Sequence, residues 1–91
     1  MFKIKTTHQF EKNVRVCAKR GYDMTLLYDA MCLLSEKGVL PSSYKPHKLT
    51  GRYSGHWECH LQTDWLLVWK TDKLGLVLTM TATGTHSDLL K

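Results

Sequence analysis

No apolar run in the sequence approaches the roughly 18 residues that a membrane-spanning helix requires, so no segment is expected to cross a bilayer. The start, Met1-Phe2-Lys3-Ile4-Lys5, alternates and leads into polar residues, which is not the pattern of a secretory signal. Cysteine is scarce. Cys17, Cys32 and Cys59 are odd in number and far apart, which excludes a disulfide scaffold and fits reduced thiols in a cytoplasmic protein. All three read as small buried hydrophobes. There is no Gly-rich phosphate loop, nucleophile elbow or dinucleotide fingerprint. Internal repeats, low-complexity segments and linkers are missing too. With 91 residues there is room for one core, so residues 1–91 read as a single domain.

The informative shortage is of acid. Eight Asp and Glu stand against 13 Lys and Arg, for a net charge of +5 and a pI near 9.2. Residues 1–22 carry six basic groups and one acidic group. Residues 37–57 hold Lys37, Lys45, Lys48 and Arg52 with no acid at all. A basic face of this kind attracts polyanions, RNA or DNA most obviously, although it also aids solubility.

The pattern predicts alternating elements. Phe2 to Thr6 has period two and reads as a short strand. Thr6 and Thr7 are candidate caps for a helix whose apolar stripe is Phe10, Val14, Cys17 and Ala18, ending at Gly21. Asp23 caps a second helix with a broad apolar face from Leu26 to Leu34, and Gly38 and Pro41 stop it. Residues 39–55 read as a long, basic, irregular connection, a length that in compact domains is often functional. The segments from His56 to Leu61, Trp65 to Thr71 and Leu74 to Ala82 read as an antiparallel meander. The expected fold is α+β: an N-terminal strand and a helical hairpin packed on a four-stranded, mainly antiparallel sheet.

Alternation places His56, Glu58 and His60 on one strand face, with Trp57, Cys59 and Leu61 on the other. On the last strand Leu74, Leu76, Leu78 and Met80 should meet the helices, leaving Val77, Thr79, Thr81 and Thr83 on the open side. If the chain turns at Gly84, His86 returns toward that side, where His47, His60 and Asp64 can join it. Such a cluster suits metal-free RNA cleavage. The 2′-OH attacks its own phosphodiester, a base takes its proton and an acid protonates the departing 5′-oxygen. Histidine suits both proton roles, Lys or Arg steadies phosphate, and Trp65 or Tyr53 offers a stacking surface. Taken singly, each histidine reads as an ordinary surface or half-buried residue, and Trp57, Trp65 and Trp69 read as core or sheet cover. Zinc is a further reading, from His56, Cys59 and His60 with His47 or His86. Strand alternation turns Cys59 away from both histidines, and no second cysteine pair supports such a site.

Four ordered motifs, His47-Lys48-Leu49-Thr50-Gly51, Glu58-Cys59-His60-Leu61, Asp64-Trp65-Leu66-Leu67-Val68-Trp69 and Thr83-Gly84-Thr85-His86-Ser87-Asp88-Leu89, resemble the YafQ branch of the RelE-like toxins of bacterial type II toxin–antitoxin systems. The resemblance covers nearly the whole chain. It implies a RelE-like fold and a cytoplasmic mRNA interferase that enters the ribosomal A site, against 16S ribosomal RNA, and cuts mRNA without metal or other cofactor. It implies an acidic cognate antitoxin and a toxin–antitoxin hetero-oligomer. Carried over by motif, the catalytic positions are His47, His60, Asp64, Trp65 and His86, with His86 and Asp64 as the acid–base pair and His47 and His60 on the scissile phosphate. RNA contacts fall to Lys45, Lys48, Arg52, Tyr53 and His56. The chain departs from the family pattern at Ala82, where relatives often carry Arg, at Trp57, often basic, and at Leu90, usually aromatic. The first departure leaves the phosphate clamp to Lys48 or Arg52. The alternative is an RNA- or antitoxin-binding module of the same fold with weak or lost nuclease activity. An acidic antitoxin segment is expected across the basic loop or along Lys12, Arg15 and Lys19.

Overall fold

The structure, a computed structural model, describes residues 1–89, and at Arg52 the backbone alone. Leu90 lies outside the described residues. The elements in chain order are β1 (Lys3–Thr6), α1 (His8–Lys19), α2 (Met24–Lys37), β2 (His47–Lys48), β3 (His56–Gln62), β4 (Trp65–Thr71), β5 (Val77–Gly84) and α3 (His86–Leu89). No described helix is long and apolar enough to cross a membrane.

Local chemistry sets the helix ends. The Thr7 hydroxyl accepts from the Phe10 amide at 3.0 Å and opens α1. Asp23 does the same for α2, accepting from the Thr25 amide at 3.1 Å. Gly38 closes α2 in the left-handed region at φ 74°, where its amide donates to the Leu34 carbonyl. The Phe2 ring lies 2.6 Å from where a Gly38 Cβ would stand, so this glycine also admits the chain entering β1. Phe10 and Cys17 of α1, and Leu27, Ala30 and Leu34 of α2, enter the core, while Ala18 at the edge of the expected stripe is exposed.

The sheet has five strands rather than four, in the order β1-β5-β4-β3-β2, with β1 parallel to β5 and the other pairs antiparallel. The added strand is β2, inside the segment read as irregular. Two residues are too few to show a period, so only pairing with Trp57 and Glu58 reveals it.

The last strand starts later than expected, at Val77. The Asp72 carboxylate accepts from the amides of Leu76 and Val77 at 2.9 and 3.3 Å, so the turn absorbs Leu74 and Leu76. Both leucines are exposed, not packed on the helices. A bulge at Thr81 then changes the phase of β5. Trp69 pairs with Met80 and Val68 with Ala82, leaving Thr81 unpaired, its hydroxyl donating to the Val68 carbonyl. Beyond the bulge Thr83 pairs with Leu67 and turns to the helix side, where it is buried, correcting its expected place on the open face. Leu78, Met80, Cys59, Leu67 and Trp69 form the helix-side core, as alternation predicts.

Candidate active site

Residues paired directly across antiparallel strands share a face. On the open face one row runs His47, Glu58, Val68, Ala82, and the next runs His60, Leu66, Gly84. His60 is two residues beyond Glu58, so its ring stands beside that of His47. The two rings meet edge to face with centroids 6.3 Å apart.

His86 reaches the same rows from α3, which follows β5 after a single residue. Its ring lies 5.9 Å from that of His60. Its Nδ1 lies 2.6 Å from Asp64 Oδ1, and its backbone N–H donates to the same oxygen at 2.9 Å. The amide and then the ring hold the Asp64 carboxyl below the usual carboxylate range. An imidazole oriented through Nδ1 keeps Nε2 for proton transfer, the arrangement a general acid or base requires.

At the far end, His47 Nδ1 faces the Lys45 carbonyl at 3.0 Å, and Nε2 faces Glu58 Oε1 at 3.2 Å. The site is therefore a line of three histidines, with the carboxylate of Glu58 at one end and that of Asp64 at the other.

Beside this line the open face carries a cavity of about 490 Å³. Tyr53, His56, Glu58 and Ala82 line it together with Gln9 and Asn13 of α1. The Tyr53 and His56 rings meet edge to face at 6.1 Å.

A sequence profile of the YafQ family, bacterial toxins of type II toxin–antitoxin systems, matches residues 2–91. The chain belongs to this family. It is 40% identical over 88 residues to the mRNA interferase toxin YafQ of Escherichia coli strain K12, covering 94% of this chain and 92% of that one. The E. coli DinJ–YafQ toxin–antitoxin complex contains a chain of the same fold, at TM-score 0.87 and 34% identity over 99% of this chain and 98% of that one. A metal-bound toxin from Helicobacter pylori matches at TM-score 0.87 and 36% identity, over 98% of this chain and 99% of that one.

This YafQ-family chain brings together His47, His60, Asp64 and His86, the four ionisable groups picked from its motifs. It does not bring Trp65 with them. That indole is buried at 1% exposure, its Nε1–H donating to the Thr83 hydroxyl at 2.9 Å and its ring 4.8 Å from that of Tyr22. Trp65 is a support beneath the site, with no ring face open for a base to stack on. Lys48 is also displaced. It pairs with Trp57, so its ammonium lies over that ring at 5.6 Å, on the helix side of the sheet and away from the histidines. The exposed Lys45 keeps its place in the basic loop, while the Arg52 side chain lies outside the described residues.

Glu58 is absent from the residues expected to act. It is buried at 8% exposure and holds His47. Its place on the histidine face is visible in strand alternation, but its partner depends on β2, which the sequence conceals.

Proposed function

We propose that this toxin is a ribosome-dependent mRNA interferase of the cytoplasm, cutting mRNA in the A site against 16S ribosomal RNA by acid–base catalysis on the 2′-OH and the 5′-oxygen. The observation that carries the reading is the 2.6 Å contact between His86 and Asp64 at the end of the histidine line. Asp64 stays ionised, fixes the ring and leaves Nε2 to move a proton. His60 and His47 face the phosphate beside it, and the His60 ring meets the charge that develops there. Tyr53 and His56 line the adjoining cavity where a base or phosphate of the message fits, and Lys45 and Arg52 complete the basic approach. An acidic antitoxin completes a hetero-oligomer and masks this surface.

The relative from H. pylori is named as metal-bound. Among the described residues of this chain no three His, Cys, Asp or Glu side chains are arranged to hold a metal ion. Cys59 is buried in the core, where burial pushes its thiol up to about 12.

The second reading, a binding module with weak or lost nuclease activity, draws on Ala82. Among the described residues no Lys or Arg lines the cavity above it. One experiment separates the two. The wild-type chain and His86→Ala are expressed under induction, growth is followed, and cut sites on mRNA are mapped by primer extension. The expected result is growth arrest with defined cuts for the wild type, and neither for His86→Ala at an unchanged melting temperature. Wild-type arrest without cuts establishes the binding module, and undiminished toxicity of His86→Ala overturns the role of His86.

A further inference from the structure

His86 stands on a helix of four residues, too short to hold its own position. Part of its anchoring is local. Asp88 and Thr85 exchange bonds, the Thr85 amide donating to Asp88 Oδ2 at 2.9 Å and the Asp88 amide to the Thr85 hydroxyl at 3.1 Å. The rest comes from a residue 68 positions away. Arg20, at the C-terminal end of α1, donates from both terminal nitrogens to the two oxygens of Asp88, at 2.6 and 3.1 Å. A bidentate pair fixes orientation as well as distance.

The contacts close into a ring. Arg20 lies 6.0 Å from the centroid of the Tyr22 ring, and Tyr22 lies 4.8 Å from Trp65. Trp65 follows Asp64 in the chain, Asp64 bonds His86, and Asp88 on the same short helix returns to Arg20. The two partners of the candidate acid–base pair therefore hang from one frame. Asp64 is carried by the strand that begins at Trp65, and His86 by the helix that Arg20 clamps. Gly84 allows the approach, because a Cβ there would stand 2.8 Å from Asp88 Oδ2.

We propose that Arg20 is a positioning residue for cleavage, holding α3 through Asp88 so that His86 meets Asp64 in register. This rests on the acid–base role given to His86. Arg20 does not itself touch the histidine line. It acts through Asp88, so the cost of removing it falls on the chemical step and not on RNA affinity.

Cleavage of mRNA on programmed ribosomes by purified full-length toxin tests this, with kcat and KM measured separately. Arg20→Ala is expected to lower kcat at least tenfold and to leave KM within about twofold, a loss of about 1.4 kcal/mol in transition-state stabilisation. Arg20→Lys, which keeps the charge but not the fork, should fall between the two. Arg20→Ala should cost nothing further in an Asp88→Asn background. Proton–nitrogen spectra of the imidazoles should lose the hydrogen-bonded Nδ1 signal of His86 while the His47 signal remains. A wild-type kcat for Arg20→Ala overturns the proposal. So does a raised KM with unchanged kcat and a flatter salt dependence, which marks a direct phosphate contact. If Arg20→Ala is too unstable to assay, Arg20→Lys decides, since wild-type kcat with an unperturbed His86 signal also overturns it. Failure of the underlying reading looks different: His86→Ala would then cleave at the wild-type rate whatever Arg20 does.

Discussion

The polar end of Trp65 serves the site from below. Its Nε1–H meets Thr83, whose hydroxyl donates onward to the Leu66 carbonyl at 2.6 Å, tying β4 to β5 directly under the histidine line. A buried indole needs such a partner, and a buried hydroxyl left with one bond fewer is costly. Trp65→Phe removes the donor and some volume, and should cost about 1–3 kcal/mol of stability in urea titrations. Because the ring faces the core, the variant should keep measurable cleavage wherever it remains folded. A Trp65→Phe variant of native stability with no activity would return this residue to the substrate. Asp64 shows the opposite case. It is exposed, yet two bonds from a single residue keep it charged through neutral pH and into mild acid.

Among the elements, α3 holds His86 on only four residues. It inherits its place from the turn at Gly84, which stands against Asp88. Gly84→Ala puts a methyl group into that carboxylate and must displace the helix or the ion pair. The expected outcome is a loss of cleavage of about tenfold or more, with the melting temperature lowered by only a few degrees, because α3 adds no buried residue to the core. Near-wild-type cleavage by this variant would show that α3 tolerates a shift. The bulge at Thr81 has a matching role in β5. By changing phase there, the strand sends Ala82 to the cavity and Thr83 to the indole.

For the whole molecule, with its net charge of +5, two basic surfaces bear on partners. One is the basic loop beside the histidine line. The other is the outer face of α1, where Lys12, Arg15 and Lys19 are exposed. If an acidic antitoxin meets either surface by electrostatic steering, raising salt from about 50 to 500 mM should slow association about tenfold or more, with a smaller change in dissociation. Stopped-flow association with purified antitoxin reads this directly. A rate that ignores ionic strength would point to an interface built on apolar contacts, such as the groove of α1 and α2 lined by Val14, Met24, Leu27 and Met31.

The sequence alone determined whatever is local and periodic. Thr7, Asp23 and Gly38 mark their helix ends because caps act within a few residues, and alternation on β3 separates Cys59 from His60 because side chains in a strand have period two. Motif order was enough to pick His47, His60, Asp64 and His86, and with them the family. Tertiary structure decided what depends on partners far along the chain. Lys48 turned away from the substrate face because β2 exists only by pairing with β3. Thr83 went inward because a bulge has no signature in composition. Arg20 reached Asp88 because the end of α1 packs beside a helix 68 residues later, a contact that no window of sequence contains.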